Sequence, residues 1–406
     1  LWVRRQRRLA DPMIDVGLFG IGSFRTALAV NFLAVFISVG YFLFLAQYLQ
    51  LILGLSPLQS GLLGTFGSAS YALGCLFGGS VSDAWGRKKP TILACSVCAS
   101  AWLLMLAARS PYHLLALIPL QGFSLSLLWP PMQAWLSEFS GGSRQYLNRT
   151  MALFNVSWTA GIMLGPLVAG LVWDWHWWMA FVLPAGLTYG AIVLLVRTPT
   201  HARVDVAPPE AHPLHPERAQ LFLYMAWFGN FASWFTRGVV MSMFPQLSAR
   251  LGFSSPVLGV LTFLLSAALF SMFMLTRREH RWQYNLSTLL LAEAVGTVAM
   301  VLAAWAQQPV VFAVAFVAAG LGSGVTYASS LFYALDGTHE NRGKRSGLHE
   351  AVLGSGAVAG PLLGGGLGQA LSLHAPYAAA AVMMAAAMAV QLTLWRRYRA
   401  RMVATR

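Results

Sequence analysis

Gly161-Ile162-Met163-Leu164-Gly165-Pro166-Leu167-Val168-Ala169-Gly170 recurs 195 positions later as Gly356-Ala357-Val358-Ala359-Gly360-Pro361-Leu362-Leu363-Gly364-Gly365. Small residues four apart open a groove in which a neighbouring helix can lie close. The proline frees a backbone carbonyl and bends the helix that carries it. A second pair of segments repeats at almost the same displacement: Leu53-Gly54-Leu55-Ser56-Pro57 returns as Leu251-Gly252-Phe253-Ser254-Ser255-Pro256, with Gln47 set against Gln246. A near-constant offset across several helices marks an internal duplication, and it predicts two bundles related by a pseudo-two-fold axis.

The composition around these segments identifies the solvent. The 406 residues are 57% apolar and 10% charged, whereas about a quarter of residues are charged in soluble domains. Apolar runs of roughly 18 to 27 residues recur between polar breaks, long enough to cross a hydrocarbon core about 30 Å thick at 1.5 Å per residue. The chain is therefore expected to be an all-α, polytopic membrane protein of twelve transmembrane helices, near 28–51, 59–80, 91–108, 112–136, 151–173, 178–196, 219–247, 256–275, 286–305, 309–334, 347–370 and 375–395. The longest polar interval carries Pro199, Pro208, Pro209, Pro213 and Pro216 and reads as a linker. The expected organisation is a six-helix bundle over 1–196 with a basic N-terminus, a cytoplasmic linker over 197–218, and a second six-helix bundle over 219–406 with a basic tail.

A net charge of +14 would suit nucleic acid if it formed a basic face with polar surroundings, but here the Lys and Arg sit in short clusters between apolar runs. Membrane topology accounts for them instead. Arg87, Lys88 and Lys89, Arg144 and Arg149, Arg277, Arg278 and Arg281, Arg342, Lys344 and Arg345, and the terminal arginines all fall on one side of the predicted spans, while the other side holds only Arg109 and Arg250. Basic residues are retained in the cytoplasm, so both termini are expected inside a cytoplasmic membrane, such as the bacterial inner membrane. Cys75, Cys95 and Cys98 lie in apolar segments and read as packing residues, not redox or disulfide chemistry. The start of the chain shows no short apolar region with a small-residue cleavage site, so no removable signal peptide is expected. No phosphate-cradling loop, metal-ligand cluster or nucleophile–base pair is visible; neither a cofactor nor an enzymatic activity is expected.

Gly79-Ser80-Val81-Ser82-Asp83-Ala84-Trp85-Gly86-Arg87-Lys88-Lys89 stands at the end of the second predicted helix. It resembles the signature of the major facilitator superfamily. The likeness implies two rocking six-helix bundles with a gate in which Gly79 and Gly86 permit close approach, while Asp83 accepts from Arg87 or a facing helix end and Lys88 follows. Ala84 departs from that family's usual basic residue after the aspartate, which puts the strength of the latch in question. The second-half counterpart, Thr276-Arg277-Arg278-Glu279-His280-Arg281, keeps charge without glycine. Gly161, Gly165, Pro166 and Gly170 also resemble the antiporter motif of drug-efflux members. Gly356, Gly360 and Pro361 repeat that pattern, so plain helix packing is an equal reading. In the fourth helix Ile118-Pro119-Leu120-Gln121-Gly122 lacks the arginine that proton-coupled drug antiporters place three residues before the glutamine. Pro12 to Phe19 and Gln47 to Gly61, about the first fifth of the chain, look like a segment of fourteen-helix drug:proton antiporters.

Charges within a bilayer cost roughly 2.5–3.5 kcal/mol at mid-helix, which makes each a functional candidate. Arg237, near Asn230, Trp234 and Phe235, reads either as a binder of an anionic or polar substrate group or as a snorkelling side chain. His349 and Glu350 open the eleventh helix, and Glu350 aligns with Asn155 through the duplication. Counted by rise per residue, Arg237 and Glu350 fall near opposite gates, and Glu350 is expected to meet Arg87, Lys344 or Arg345, or to serve with His349 as a protonation site. Glu293, in the ninth helix, is expected to be partly buried against a neighbour. Asn31, Gln47, Gln121, Trp129, Asn155, Trp158, Asn230, Trp234 and Tyr327 complete the polar and aromatic candidates for a central cavity.

The function expected is secondary active transport by alternating access, with proton-coupled efflux of amphipathic or drug-like compounds leading. Uptake of a small polar solute such as a sugar or organic anion is the alternative, and a transporter-like sensor or lipid translocator is a reading of another class. The expected partners are a small-molecule substrate, a proton or other ion and the lipid bilayer, with no nucleic acid, and the chain is expected to be a monomer.

Overall fold

A computed structural model describes residues 16–108, 110–138, 144–199, 216–278, 281–335 and 342–404. Among them there is no strand. After a 3-10 turn at Val16–Gly20 the helices are α1 (Gly22–Gln47), α2 (Pro57–Trp85), α3 (Lys88–Ala107), α4 (Pro111–Ser126), α5 (Trp129–Glu138), α6 (Arg144–Trp175), α7 (Met179–Arg197), α8 (Pro216–Arg250), α9 (Ser255–Arg278), α10 (Leu286–Trp305), α11 (Pro309–Leu335), α12 (Arg342–Ala370) and α13 (Ala375–Ala404). Nine described spans are long and apolar enough to cross a membrane. In such a span every backbone polar group must be satisfied within the segment, which only helices and closed barrels achieve.

The expected fourth helix is interrupted. Pro130 and Pro131 lack backbone N–H groups and clash with the preceding turn, so α4 stops at Ser126 and α5 restarts at Trp129. The gap closes with tighter bonds, Leu127 N–H to Ser124 O and Leu128 N–H to Leu125 O, both 3.1 Å. Taken as one, α4 and α5 give the described helices the twelve segments expected. The basic termini of α12 and α13 also extend as helix beyond the apolar runs, consistent with the good helix propensity of arginine.

The chain divides into two compact units, residues 1–44 with 66–209, and residues 45–65 with 210–406. In the first unit, Gly161 and Gly165 on α6 rest on the backbone of α1. A Cβ at Gly165 would stand 2.5 Å from Phe36 O. In the second unit, Gly356 and Gly360 on α12 rest in the same way on α8, and a Cβ at Gly360 would stand 2.5 Å from Phe235 O. The duplicated glycines thus do the same packing work twice. Apolar side chains gain nothing by leaving lipid for each other, so such close contacts are what holds membrane helices together. The second duplicated motif has a common backbone role as well: Gly54 and Gly252 take φ values of +67° and +75°, the left-handed conformation that ends a helix at low cost for glycine.

Residues 45–65 lie in the first half of the sequence but pack with the second unit. The π-helical turn Tyr48–Ile52 leads into this segment. Gln47 Nε2 donates to Ser255 Oγ at 3.1 Å, Gln50 Nε2 to Ser242 O at 3.2 Å, and Thr65 Oγ1 to Val358 O at 3.3 Å. Gly61 and Gly365 let α2 and α12 touch: a Cβ on Gly365 would lie 2.7 Å from Pro57 O.

Gly360→Ala should lower the thermal midpoint of the purified protein, with a cost on the order of 1–3 kcal/mol for forcing a methyl against backbone. Gly366→Ala, on the same helix with open space around it, should leave the midpoint unchanged in the same melt. Equal midpoints for the two would remove the glycine seat from the account.

Candidate functional site

On α8, Asn230, Ser233, Trp234 and Arg237 fall three or four residues apart and so share one face. That face meets α11. Ser233 Oγ lies 2.8 Å from Thr326 Oγ1, and the Trp234 and Tyr327 ring centroids are 6.3 Å apart. The Arg237 guanidinium stands over the Trp234 ring, 5.8 Å from its centroid, within cation–π range. It also reaches α9, where Arg237 Nη2 donates to Ser266 Oγ at 3.4 Å. Arg237 is buried, and among the described residues no carboxylate lies within ion-pair distance of it.

The same wall continues onto α12. Phe273 of α9 packs on Tyr327 with centroids 5.1 Å apart, and Tyr327 meets the His349 ring edge to face at 5.1 Å. Ser330 Oγ is 2.7 Å from His349 Nδ1, while His349 Nε2 is buried with no hydrogen-bond partner among the described residues. Glu350 is exposed and lies within electrostatic reach of Tyr327. Arg237 and His349 are linked through the Trp234 and Tyr327 rings, but Arg237 is level with Gly360, eleven residues and so about 16 Å further along the bundle than His349, in keeping with the separation expected from counting residues. The side chains of Lys344 and Arg345, expected partners of Glu350, lie outside the described residues.

Other expected site residues are placed elsewhere. Asn230 is fully buried, and neither side-chain atom finds a hydrogen-bond partner among the described residues. Asn31 joins α1 to α6, donating to Phe154 O at 3.2 Å and to Ser157 Oγ at 2.6 Å. Gln121 is buried against the Cys98 thiol, and Asn155 is exposed. Trp129 packs on the apolar core around Met132, Trp135 and Leu136. Cys95 and Cys98 line a small apolar cleft between α1, α3, α4 and α7.

In the gate motif, Gly79 lies within α2 and Gly86 turns the chain at φ +77°. Arg87 Nη1 donates to Ser82 Oγ at 2.8 Å, and Lys88 Nζ donates to Val196 O and Thr198 O at 3.1 and 2.7 Å. Lys88 thereby satisfies the last carbonyls of α7, where a cation is favoured by the helix dipole. The Asp83 side chain lies outside the described residues.

Sequence reasoning placed Glu293 beside a neighbouring helix but missed its partner. Its carboxyl group is fully buried on α10, where Gln391 Nε2 of α13 donates to Glu293 Oε1 at 3.3 Å and to Met225 O of α8 at 3.1 Å. The signal available was Gln391 itself, a lone amide in an apolar run.

A family model described as Major Facilitator Superfamily matches residues 27–338 and 226–405. The chain is 50% identical to the multidrug efflux pump LfrA of Mycolicibacterium smegmatis over 62 residues, 15% of this chain and 12% of that one. It is 29% identical to the gallate transporter of Pseudomonas putida over 153 residues, 38% of this chain and 34% of that one. Each match thus spans about a third or less of the relative's own length. A solved bacterial homologue of the human lysosomal transporter Spinster superposes with a TM-score of 0.72 at 15% identity, covering 91% of this chain and 96% of that one.

The buried imidazole provides a local test. Ser330→Ala leaves His349 Nδ1 without its partner, which typically costs about 1–3 kcal/mol for a buried group. The thermal midpoint should fall for Ser330→Ala and recover in part for Ser330→Thr, which keeps the hydroxyl. An unchanged midpoint in the alanine variant would mean that the bond contributes nothing.

Proposed function

Because the chain belongs to the major facilitator superfamily, we propose that this membrane transporter exports small amphipathic compounds in exchange for protons by alternating access. The observation that carries this reading is the wall formed by Arg237, Trp234, Tyr327 and His349. It gathers a cation, aromatic faces and an imidazole with one free nitrogen within membrane-spanning helices, where such groups are costly unless they serve a solute or ion path. The likeness to LfrA supports export. His349 and Glu350 are the groups proposed to exchange the proton, since an imidazole and a carboxyl group can each take up and release one. With both termini in the cytoplasm, as the basic loops favour, residues 45–65 reach the outer face. There their contacts with Ser242, Ser255 and α12 serve as an outer gate that detaches when the path opens outward. A second reading, uptake of an organic anion, is favoured by the buried Arg237 and by the likeness to a gallate transporter; it differs in the direction of coupling.

Proteoliposomes containing the chain test both readings. An imposed pH gradient should drive radiolabelled amphipathic probes against the proton flow and raise flux several-fold; co-directional movement would replace exchange with symport, and indifference to the gradient would remove proton coupling. Gly365→Leu, which obstructs the seat of Pro57 and Gly61, should cut flux more than tenfold while the protein stays folded. Gly366→Leu should retain flux, and full activity in Gly365→Leu would exclude the outer gate.

A further inference from the structure

We propose that Arg237, Trp234 and Tyr327 form a subsite for a small aromatic compound bearing one anionic group, the anion on the guanidinium and its ring against the two aromatic side chains. This rests on the solute path proposed above and adds the charge and shape of what occupies it. The starting point is an imbalance. A guanidinium carries five N–H donors and remains charged in proteins, and a buried charge persists only if paired or well hydrogen-bonded. Arg237 is 9% exposed, yet its described contacts are one long hydrogen bond to Ser266 and the Trp234 face. Among the described residues most of its donor capacity is unspent.

Snorkelling does not relieve this. Arg237 stands thirteen residues from the nearer end of α8 at Arg250, roughly 20 Å along the axis, beyond the reach of its own side chain. A ligand carboxylate would relieve it, because the planar fork of arginine matches a carboxylate with two parallel N–H···O bonds and is more weakly hydrated than an ammonium.

The rest of the ligand is shaped by the neighbours. Trp234 and Tyr327 are tilted at 48°, and Phe273 packs on Tyr327 from α9. The Trp234 face adjoins the guanidinium and Tyr327 adjoins Trp234, and offset or edge-to-face packing of a further ring against them adds to simple burial. The sign of charge is set by the same geometry. An aromatic amine placed with its charge on the guanidinium would be repelled by Arg237, so the subsite disfavours cations there as well as favouring anions, the two halves of a specificity device.

Binding of three tritiated probes with one ring system, 2-naphthoate, 2-naphthamide and 2-naphthylmethylamine, to the full chain in nanodiscs tests this. Naphthoate should bind at least tenfold tighter than the amide, with the amine weakest. Arg237→Gln should bring acid and amide within twofold of each other without weakening the amide, and Arg237→Lys should keep part of the preference. The order of the three probes on the unaltered protein stands even if a variant fails to fold. Equal or tighter binding of the amine, no binding of any probe, or a preference that survives in folded Arg237→Gln would overturn the subsite. Naphthoate binding without flux in proteoliposomes would remove the transport reading and leave the subsite, whereas flux of the amine without acid preference would do the reverse.

Discussion

Backbone against backbone is the contact on which this architecture depends. Within lipid, burying a leucine against another leucine gains little, so helices associate where small residues let main chains approach and dispersion contacts accumulate. Gly161 and Gly165 bring α6 onto α1, and Gly356 and Gly360 bring α12 onto α8. The second of these seats positions the candidate site. With Phe231, Phe235 and Gly238 committed to α12, the adjoining face of α8 that carries Ser233, Trp234 and Arg237 turns to α11 and α9. The chemistry of that wall is available because glycine has already settled which side of α8 is spent on packing.

Much of this was legible from residues alone. The duplication at a nearly constant offset announced two related halves, and the glycine pattern announced helix packing; the structure gives both copies the same role. The backbone function shared by Gly54 and Gly252 was visible only as a repeated string. The break between α4 and α5 was written in Pro130 and Pro131, but an apolar run read by hydropathy passes over it. The site was less legible. Arg237 stood out as a charge in an apolar helix, yet its chain of contacts to His349 through Trp234 and Tyr327 required knowing which faces of α8, α11 and α12 meet, and rise per residue along one helix does not contain that. Trp129 looked like a cavity aromatic because sequence does not say which face of a restarted helix is buried. Glu293 could not be paired in advance, since its partner Gln391 lies 98 positions away.

Charged residues at the helix ends also differ from their sequence reading in a physically informative way. Lys88 and Arg87 attract attention as members of a gate signature, and the described bonds are local: Lys88 satisfies open carbonyls at the end of α7, and Arg87 binds Ser82. A helix end must find donors for its final carbonyls whatever else happens nearby. A cluster of basic residues at such an end therefore carries a structural duty that any gating duty has to share.

Residues 45–65 belong to one half by inheritance and to the other by contact. An ancestral six-helix unit that was copied could in principle have drifted apart in its two descendants, each repacking its own interior. The 45–65 segment prevents full independence, because Gln47 and Gln50 bind residues 208 and 192 positions downstream and Pro57 meets Gly365. The two descendants are thus obliged to co-adapt at this segment, and chimaeras that exchange whole halves between relatives would carry a mismatched hairpin unless it travelled with the half it touches.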